Sequence, residues 1–300
     1  MKNTLTSLLL LLLSGPVFAQ DTLRLLTWNV QMLPNVTKGN SRATRARAIV
    51  EQLKQRNDDV VVFQEVFHRR ARKIIQKGLR HSFHYQTPVL NRRLISLKTN
   101  GGVMIVSKHE IVERKEIRYK SRSGFDRLSR KGAMLVLVDF HGKEVQIAGT
   151  HLQAFGTQRI MEDQYRQFHD ALLKPNQKAD VPQFVCGDFN TLKTLPPQLP
   201  EGVSQSFADR LARYAVMLKT LDAVDGDLTG DQQFTMDRPY NDLCVTRKEF
   251  RLLLDYILVR PNRLEPYVIR RKVQTIRQKW SDLHQDLSDH FAVEAIIKMF

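Results

Sequence analysis

The chain reads as an α/β protein built from two packed β-sheets with helices outside them. Short, wholly apolar runs such as Val60 to Phe63 are strands of the buried kind, too short for helices. Amphipathic helical stretches are interspersed among the strands. The two types do not alternate strictly, as a doubly wound parallel sheet requires, so a layered sandwich of two sheets fits better.

Leu23 to Val30 predicts a strand that carries Trp28-Asn29 at its end. Ala43, Ala46, Val50 and Leu53 recur at helical spacing, which places Arg42, Arg45 and Arg47 on the outer face of a basic helix. Val60 to Phe63 leads into Gln64-Glu65. Strands are expected at Gly102 to Ser107, Ala133 to Val138 and Val145 to Thr150, the last two joined by a hairpin at His141-Gly142-Lys143. Met161, Tyr165, Phe168 and Leu172 mark one helix, and Phe207, Leu211, Tyr214, Leu218 and Leu221 another with a core-packing stripe. Leu252 to Val259 and Phe291 to Ile297 supply the last strands. Leu195 to Pro200 is proline-rich and reads as an exposed loop. Without a linker, repeat or low-complexity stretch, residues 20–300 are expected to form one domain.

Residues 1–19 have the pattern of an export signal. Lys2 is a short basic region, Leu8 to Leu13 an apolar core, and Val17-Phe18-Ala19 a small-residue cleavage site. The apolar run is too short to span a bilayer, and no cysteine follows the expected cut before Gln20. A secreted, soluble monomer is the expectation. Lys and Arg number 47 against 31 acids, a net charge of +16. That balance favours polyanions, whether nucleic acid, anionic lipid surfaces or phosphorylated substrates, and serves solubility equally well. Two cysteines are too few for a disulfide framework. Cys186 falls inside a strand, where a thiol acts as a small hydrophobe.

The chemistry concentrates at strand ends. Asn29, Glu65, His151, Asp188, Asn190, Asp255, Asp289 and His290 each close or open an apolar run. A lone carboxylate beside a buried strand is costly unless paired or bound to metal. Mg²⁺ keeps several waters and uses one or two carboxylates plus substrate phosphate, so Glu65 fits it, with Asn29 and Asp289 as ligands or water anchors. A salt bridge to a neighbouring Arg would serve Glu65 equally. His290 is the candidate general base, because imidazole titrates near neutral pH. Asp255 needs a partner, and a histidine is the natural one. His151 could donate to a phosphate oxygen, or simply cap its strand. Asp188 and Asn190, two apart, would share one face of a continuing strand and hold water and phosphate. The other histidines, His68 and His109 among them, show no ligand spacing and read as surface. There is no Gly-rich nucleotide loop, zinc spacing or Gly-x-Ser-x-Gly elbow, which leaves metal-assisted hydrolysis.

Trp28-Asn29, Gln64-Glu65, Gly149-Thr150-His151, Gly187-Asp188-Phe189-Asn190, Leu254-Asp255-Tyr256 and Ser288-Asp289-His290 together resemble the endonuclease/exonuclease/phosphatase superfamily. The resemblance implies a four-layered, DNase-I-like α/β sandwich. Tyr85 to Leu90, Gly101 to Lys108, Ser123-Gly124-Phe125-Asp126 with Lys131-Gly132, and Gly149 to Gln153 look like the secreted neutral sphingomyelinases. That implies hydrolysis of membrane sphingomyelin to ceramide and phosphocholine with Mg²⁺, or Mn²⁺ or Co²⁺ in its place. Glu65 would bind the ion within a network including Asn29 and Asp289. Asp188 and Asn190 would position water and phosphate, and His290, oriented by Asp255, would be the base. His151 would stabilise the phosphate, and Asp126 and Lys131 would lie by the substrate.

Two departures stand out. Relatives carry an aromatic-rich hairpin before Ser-Asp-His, whereas residues 260–287 offer only Tyr267 and Trp280 among cations such as Arg270, Arg271 and Lys272. Electrostatic docking on an anionic membrane by this segment is therefore expected. Asn100 stands where some relatives have an acid. The competing readings are an exported nuclease, which the net charge favours, a phosphodiesterase for another phospholipid or a phosphoinositide, and a non-enzymatic membrane-binding protein.

Overall fold

The structure, a computed structural model, describes residues 22–34, 41–93, 95–96, 98–154, 156–194, 204–244, 250–263 and 269–299. The expected export segment, the Leu195 to Pro200 loop and Tyr267 lie outside the described residues, as does the side chain of Phe207.

The strands in chain order are β1 (Thr22–Asn29), β2 (Val60–Gln64), β3 (Tyr85–Gln86), β4 (Met104–Ser107), β5 (Glu110–Arg118), β6 (Gly132–Phe140) and β7 (Lys143–His151). There follow β8 (Gln183–Asp188), β9 (Met236–Asp237), β10 (Arg251–Leu252), β11 (Asp255–Arg260), β12 (Ile269–Gln274) and β13 (Ala292–Lys298). One sheet has the order β12-β13-β1-β2-β4-β3 and the other β11-β8-β7-β6-β5, while β9 and β10 form a small ribbon. Each large sheet is mixed, with one parallel pair (β1 with β2, and β7 with β8) among antiparallel neighbours.

Alternation of side chains along β1, buried on both faces, explains the layering. Leu23 and Leu25 face the second sheet, where they join Val62, Val136, Phe184 and Ile257 in the central core. Leu26 and Trp28 face the opposite way, onto α1 (Arg42–Lys54) and α2 (Arg69–Leu79). Behind the second sheet, Leu135, Val185 and Leu258 meet α3 (Gln158–Phe168), its π-helical continuation His169–Leu173, and the long helix Ser204–Leu221. The result is four layers in the order helices, sheet, sheet, helices. No helix among the described residues is long and apolar enough to cross a membrane. Cys186 and Cys244 are both buried and are not bridged to each other.

Besides α2 and the short strand β9, two longer strands escape sequence reading for one reason. β5 and β12 are edge strands whose alternating charges mask their period, and such charges discourage edge-to-edge pairing. Helix α2 was not expected from the sequence either, although Ala71, Ile75 and Leu79 are buried on one face, and His68, expected to be surface, caps it by accepting from Ala71 N at 3.1 Å. His109 likewise packs its ring against Phe140 at 4.7 Å. The strand expected from Leu252 divides, with Leu252 in β10 and Asp255 opening β11.

Two further expectations, on Arg271 and Arg45, are corrected by packing, which also places Trp280. Arg271 does not face outward with Arg270 and Lys272, because its position on β12 turns it inward, where its Nε donates to Ile257 O at 2.7 Å. Trp280 is tied to its own loop and to the core. Its indole N–H donates to Asp286 O at 2.7 Å, its ring stacks on His284, and it packs against the core under α1 and α2. Arg45, expected on the outer face of α1, is fully buried. Its guanidinium donates to Leu287 O at 2.6 Å, Gln31 O at 2.8 Å and Val30 O at 3.3 Å. It therefore joins the end of β1 to the approach to β13.

Arg45→Met should leave three carbonyls without that donor and destabilise the protein by at least about 3 kcal/mol, at roughly 1–3 kcal/mol for each orphaned buried group. Arg45→Lys should recover only part of the loss, since one ammonium cannot span the same acceptors. Urea denaturation of the three proteins measures both effects.

Candidate active site

The strand pairings bring the polar residues to one end of the sandwich. In the first sheet, Asn29 is in register with Gln64 on parallel β2, so Asn29 and Glu65 leave their strands side by side. Strand β13 runs antiparallel to β1, which returns the Ser288-Asp289-His290 approach to the same end. In the second sheet, His151 pairs with Asp188 across β7 and β8, and Asp255 pairs with Asp188 across β8 and β11. Face-to-face packing then closes the two groups onto each other.

Two hydrogen bonds cross between the sheets there. Asn29 Nδ2 donates to Asp188 Oδ2 at 3.0 Å. His290 Nδ1 lies 2.8 Å from Asp255 Oδ2, and because a carboxylate accepts, Nδ1 carries the proton and Nε2 is the basic nitrogen. Burial opposes a charge on His290, but Asp255 outweighs it and, with Asp188 and Asp289, raises the imidazole well above its ordinary range.

Glu65, Asp188 and Asp289 are a crowd of carboxylates. Burial, then Asp289, pushes Glu65 up to about 7. Burial, then Asp255, pushes Asp188 up to about 6, and burial raises Asp289 as well. Oxygen donors of Glu65, Asp289, Asp188 and Asn29 suit a hard divalent cation, which would relieve that repulsion. Asp188, Asp255 and His290 also offer ligand atoms within 4.8 Å of one another. In that trio the Asp255 bond occupies His290 Nδ1, so it reads better as a carboxylate-oriented base beside Asp188 than as a cation site.

The backbone at the mouth is strained in the same places. Gln31, Glu65 and Asn190 have φ of 49°, 59° and 49°, left-handed conformations that non-glycine residues adopt at a cost. Asn190 accordingly does not continue β8 beside Asp188. Its N–H turns back to Asp188 Oδ1 at 3.0 Å and its Nδ2 donates to Leu152 O at 3.3 Å, so it clamps Asp188 from a turn. Gly187 just before it, at φ 143°, admits no side chain, because a Cβ would run into the Thr150 carbonyl.

His151 and Lys131 meet on the other flank. Lys131 Nζ lies 3.0 Å from Asp126 Oδ2, 3.1 Å from His151 Nε2 and 3.1 Å from Leu152 O. Burial, then Lys131, holds His151 well below its ordinary value, so this imidazole stays neutral. Its Nε2 is 3.6 Å from Asp188 Oδ2 and 3.9 Å from Glu65 Oε1. The positive charge on this flank thus belongs to Lys131 rather than to His151.

Every residue singled out by sequence is in this cluster or bonded to it. Sequence reasoning missed Gln31, whose Nε2 donates to Asp289 Oδ2 at 2.7 Å and whose N–H donates to Asn29 Oδ1 at 3.1 Å. It also passed over Ser288, whose hydroxyl donates to Asn29 O at 2.6 Å. Their places beside Asn29 and inside Ser-Asp-His were the available signal. Asn100 accepts from Gly102 N through Oδ1 and donates to Phe67 O through Nδ2, a loop-bracing role.

"Phospholipase C" of Staphylococcus aureus is 29% identical over 92% of this chain and 87% of its own length. "Sphingomyelinase C" of Bacillus cereus is 29% identical over 93% and 90%. A mutant beta toxin of S. aureus, solved with bound magnesium ions, matches with a TM-score of 0.77 at 28% identity, covering 91% of this chain and 98% of that one. The Endonuclease/Exonuclease/phosphatase family model matches residues 26–290, and the chain belongs to that family.

Proposed function

We propose that this protein is a secreted, Mg²⁺-dependent phosphodiesterase that hydrolyses sphingomyelin to ceramide and phosphocholine. The observation that carries the reading is the Asp255–His290 pair, which bridges the two sheets beside Glu65, Asp188 and Asp289. It joins a positioned base to a hard-oxygen donor set. The sphingomyelinase C and phospholipase C relatives support the substrate class.

The neutral form of His290 takes a proton on Nε2 from the attacking water, and Asp255 holds the resulting imidazolium. The water oxygen bonds to phosphorus as the bond from phosphorus to the ceramide oxygen breaks; the departing oxygen takes a proton from solvent, to which His290 returns its own. Asp188, fixed by Asn29 and Asn190, orients the water, and Lys131 offsets charge on the phosphoryl oxygens. Glu65, with Asn29 and Asp289, would hold Mg²⁺, or Mn²⁺ or Co²⁺. The ion supplies Lewis-acid stabilisation of the phosphoryl oxygens and the departing alkoxide.

The charge of +16 keeps an exported nuclease as the second reading. Phosphocholine release from detergent-dispersed sphingomyelin, set against nucleotide release from DNA in the same Mg²⁺ buffer, separates them. Phosphocholine should be the product, and faster cutting of DNA would overturn the lipid reading.

Glu65→Gln should abolish activity and metal response while the protein stays folded. For the wild type, raised carboxyl pKa values mean that metal-free folding is favoured while these groups are protonated. That stability is lost as pH rises through about 7 for Glu65. Mg²⁺ should therefore raise the melting temperature more at pH 8 than at pH 5, and Glu65→Gln should erase most of this difference. An equal Mg²⁺ effect at both pH values would contradict the assignment.

Activity should fall on the acid side as His290 is protonated, and His290→Ala should lose about 10²–10⁴-fold. Asp255 raises this imidazole, so Asp255→Asn should move the acid limb of the pH–rate profile to lower pH while reducing the rate. An unmoved acid limb in Asp255→Asn would show that another group is the base.

A further inference from the structure

The exposed cations Arg270 and Lys272 on β12 offer charge without apolar depth, whereas a second surface carries both. Large apolar side chains stand out of two neighbouring loops, with Ile95 95%, Phe125 91% and Leu128 61% exposed. Single exposed hydrophobes are ordinary, but these three are held together. Thr99 N donates to Leu128 O at 2.9 Å, Arg130 N to Asn100 O at 3.3 Å, and the Arg130 guanidinium to Ser96 Oγ at 2.9 Å. Beside them a cavity of about 260 Å³ is lined by Arg69, Arg72, Arg92, Arg93, Lys98 and Asn100, together with Thr99, and by no carboxylate. Among the described residues, Arg69, Arg92, Arg93 and Lys98 have no acidic partner. Burial, then Arg92 and Arg69, pushes Arg72 down to about 10, a repulsion that a bound anion would relieve.

We propose that the loops around residues 92–100 and 124–130 are the face that docks this protein on an anionic bilayer, with Ile95, Phe125 and Leu128 among the acyl chains and the arginine-lined cavity on a lipid phosphate. The inference rests on the lipid phosphodiesterase reading and says where the bilayer sits. Apolar tips ringed by cations match a bilayer, which presents phosphates above hydrocarbon, better than a nucleic acid, which offers no apolar depth to Ile95 or Phe125. The face also borders the site. Asp126, next to Phe125, is held by Lys131, which touches His151, and Asn100 is bonded to Phe67, two residues beyond Glu65. A headgroup drawn to this face lies at the mouth of the catalytic cluster.

Vesicle co-sedimentation tests this with phosphatidylcholine–sphingomyelin vesicles, with and without phosphatidylglycerol. Ile95→Ser/Phe125→Ser should lower binding to both vesicle types by about tenfold or more. Arg93→Ser/Lys98→Ser should remove on the order of tenfold of the gain from phosphatidylglycerol. Arg270→Ser/Lys272→Ser, on the exposed edge of β12, should stay near wild type. All three should keep wild-type turnover of a soluble phosphocholine ester, which reports an intact fold and site. In Phe125→Trp, indole emission should shift to the blue on vesicles and be quenched by brominated lipid.

Wild-type vesicle binding by either loop variant, or an equal loss in the β12 variant, would overturn the proposal. So would weakened binding of a single-stranded DNA by Arg93→Ser/Lys98→Ser with vesicle binding intact. A wild-type protein that hydrolyses neither the soluble ester nor detergent-dispersed sphingomyelin would refute the catalytic reading instead, while the vesicle comparison still decides the docking face.

Discussion

Asp255 and His290 belong to different sheets, and the 2.8 Å bond between them forms only when the sheets pack in one register. The same register brings Asn29 onto Asp188. Sliding one sheet along the other would part both pairs and leave buried polar groups unsatisfied, at about 1–3 kcal/mol each. The apolar face between the sheets, from Leu23 and Val62 to Phe184 and Ile257, makes that register the well-packed one. Arg45 adds a pin from outside by joining the end of β1 to the loop that delivers His290.

Crowding at the top of the sandwich is the cost of this arrangement. Three carboxylates with raised pKa values and three strained backbones are gathered where strands end. Such features persist where the surrounding structure over-determines them, and they mark sites kept for chemistry rather than stability. The two imidazoles diverge for physical reasons. His290 faces Asp255 and is driven towards the charged form, while His151 faces the Lys131 ammonium and is kept neutral. Two histidines at equivalent strand ends thereby take different parts.

The positive surface charge is not uniform in meaning. On β12 it protects an edge strand, with Arg270 and Lys272 outward and Arg271 turned in to brace β11. Around the loops near residues 95 and 125 it surrounds exposed apolar tips beside the catalytic mouth, which is where charge and hydrophobicity can act on one partner.

The sequence by itself determined the fold class and the identity of the strand-end residues. Buried strands need unbroken apolar runs, and a polar residue closing such a run is visible without coordinates. Asn29, Glu65, His151, Asp188, Asp255 and His290 could be read in that way, as could most of the central strands. Edge strands β5 and β12 could not, because their half-exposed charges follow no apolar period. Only the tertiary structure decided which polar groups meet: that Gln31 holds Asp289, that Lys131 rather than His151 carries the charge beside Asp126, and that Asn190 turns back to clamp Asp188. It also decided that Arg45 and Arg271 point inward. Side-chain direction on a basic helix or an edge strand depends on which acceptors the neighbouring elements present, and those neighbours are more than a hundred residues away in the chain for the Arg45–Leu287 contact.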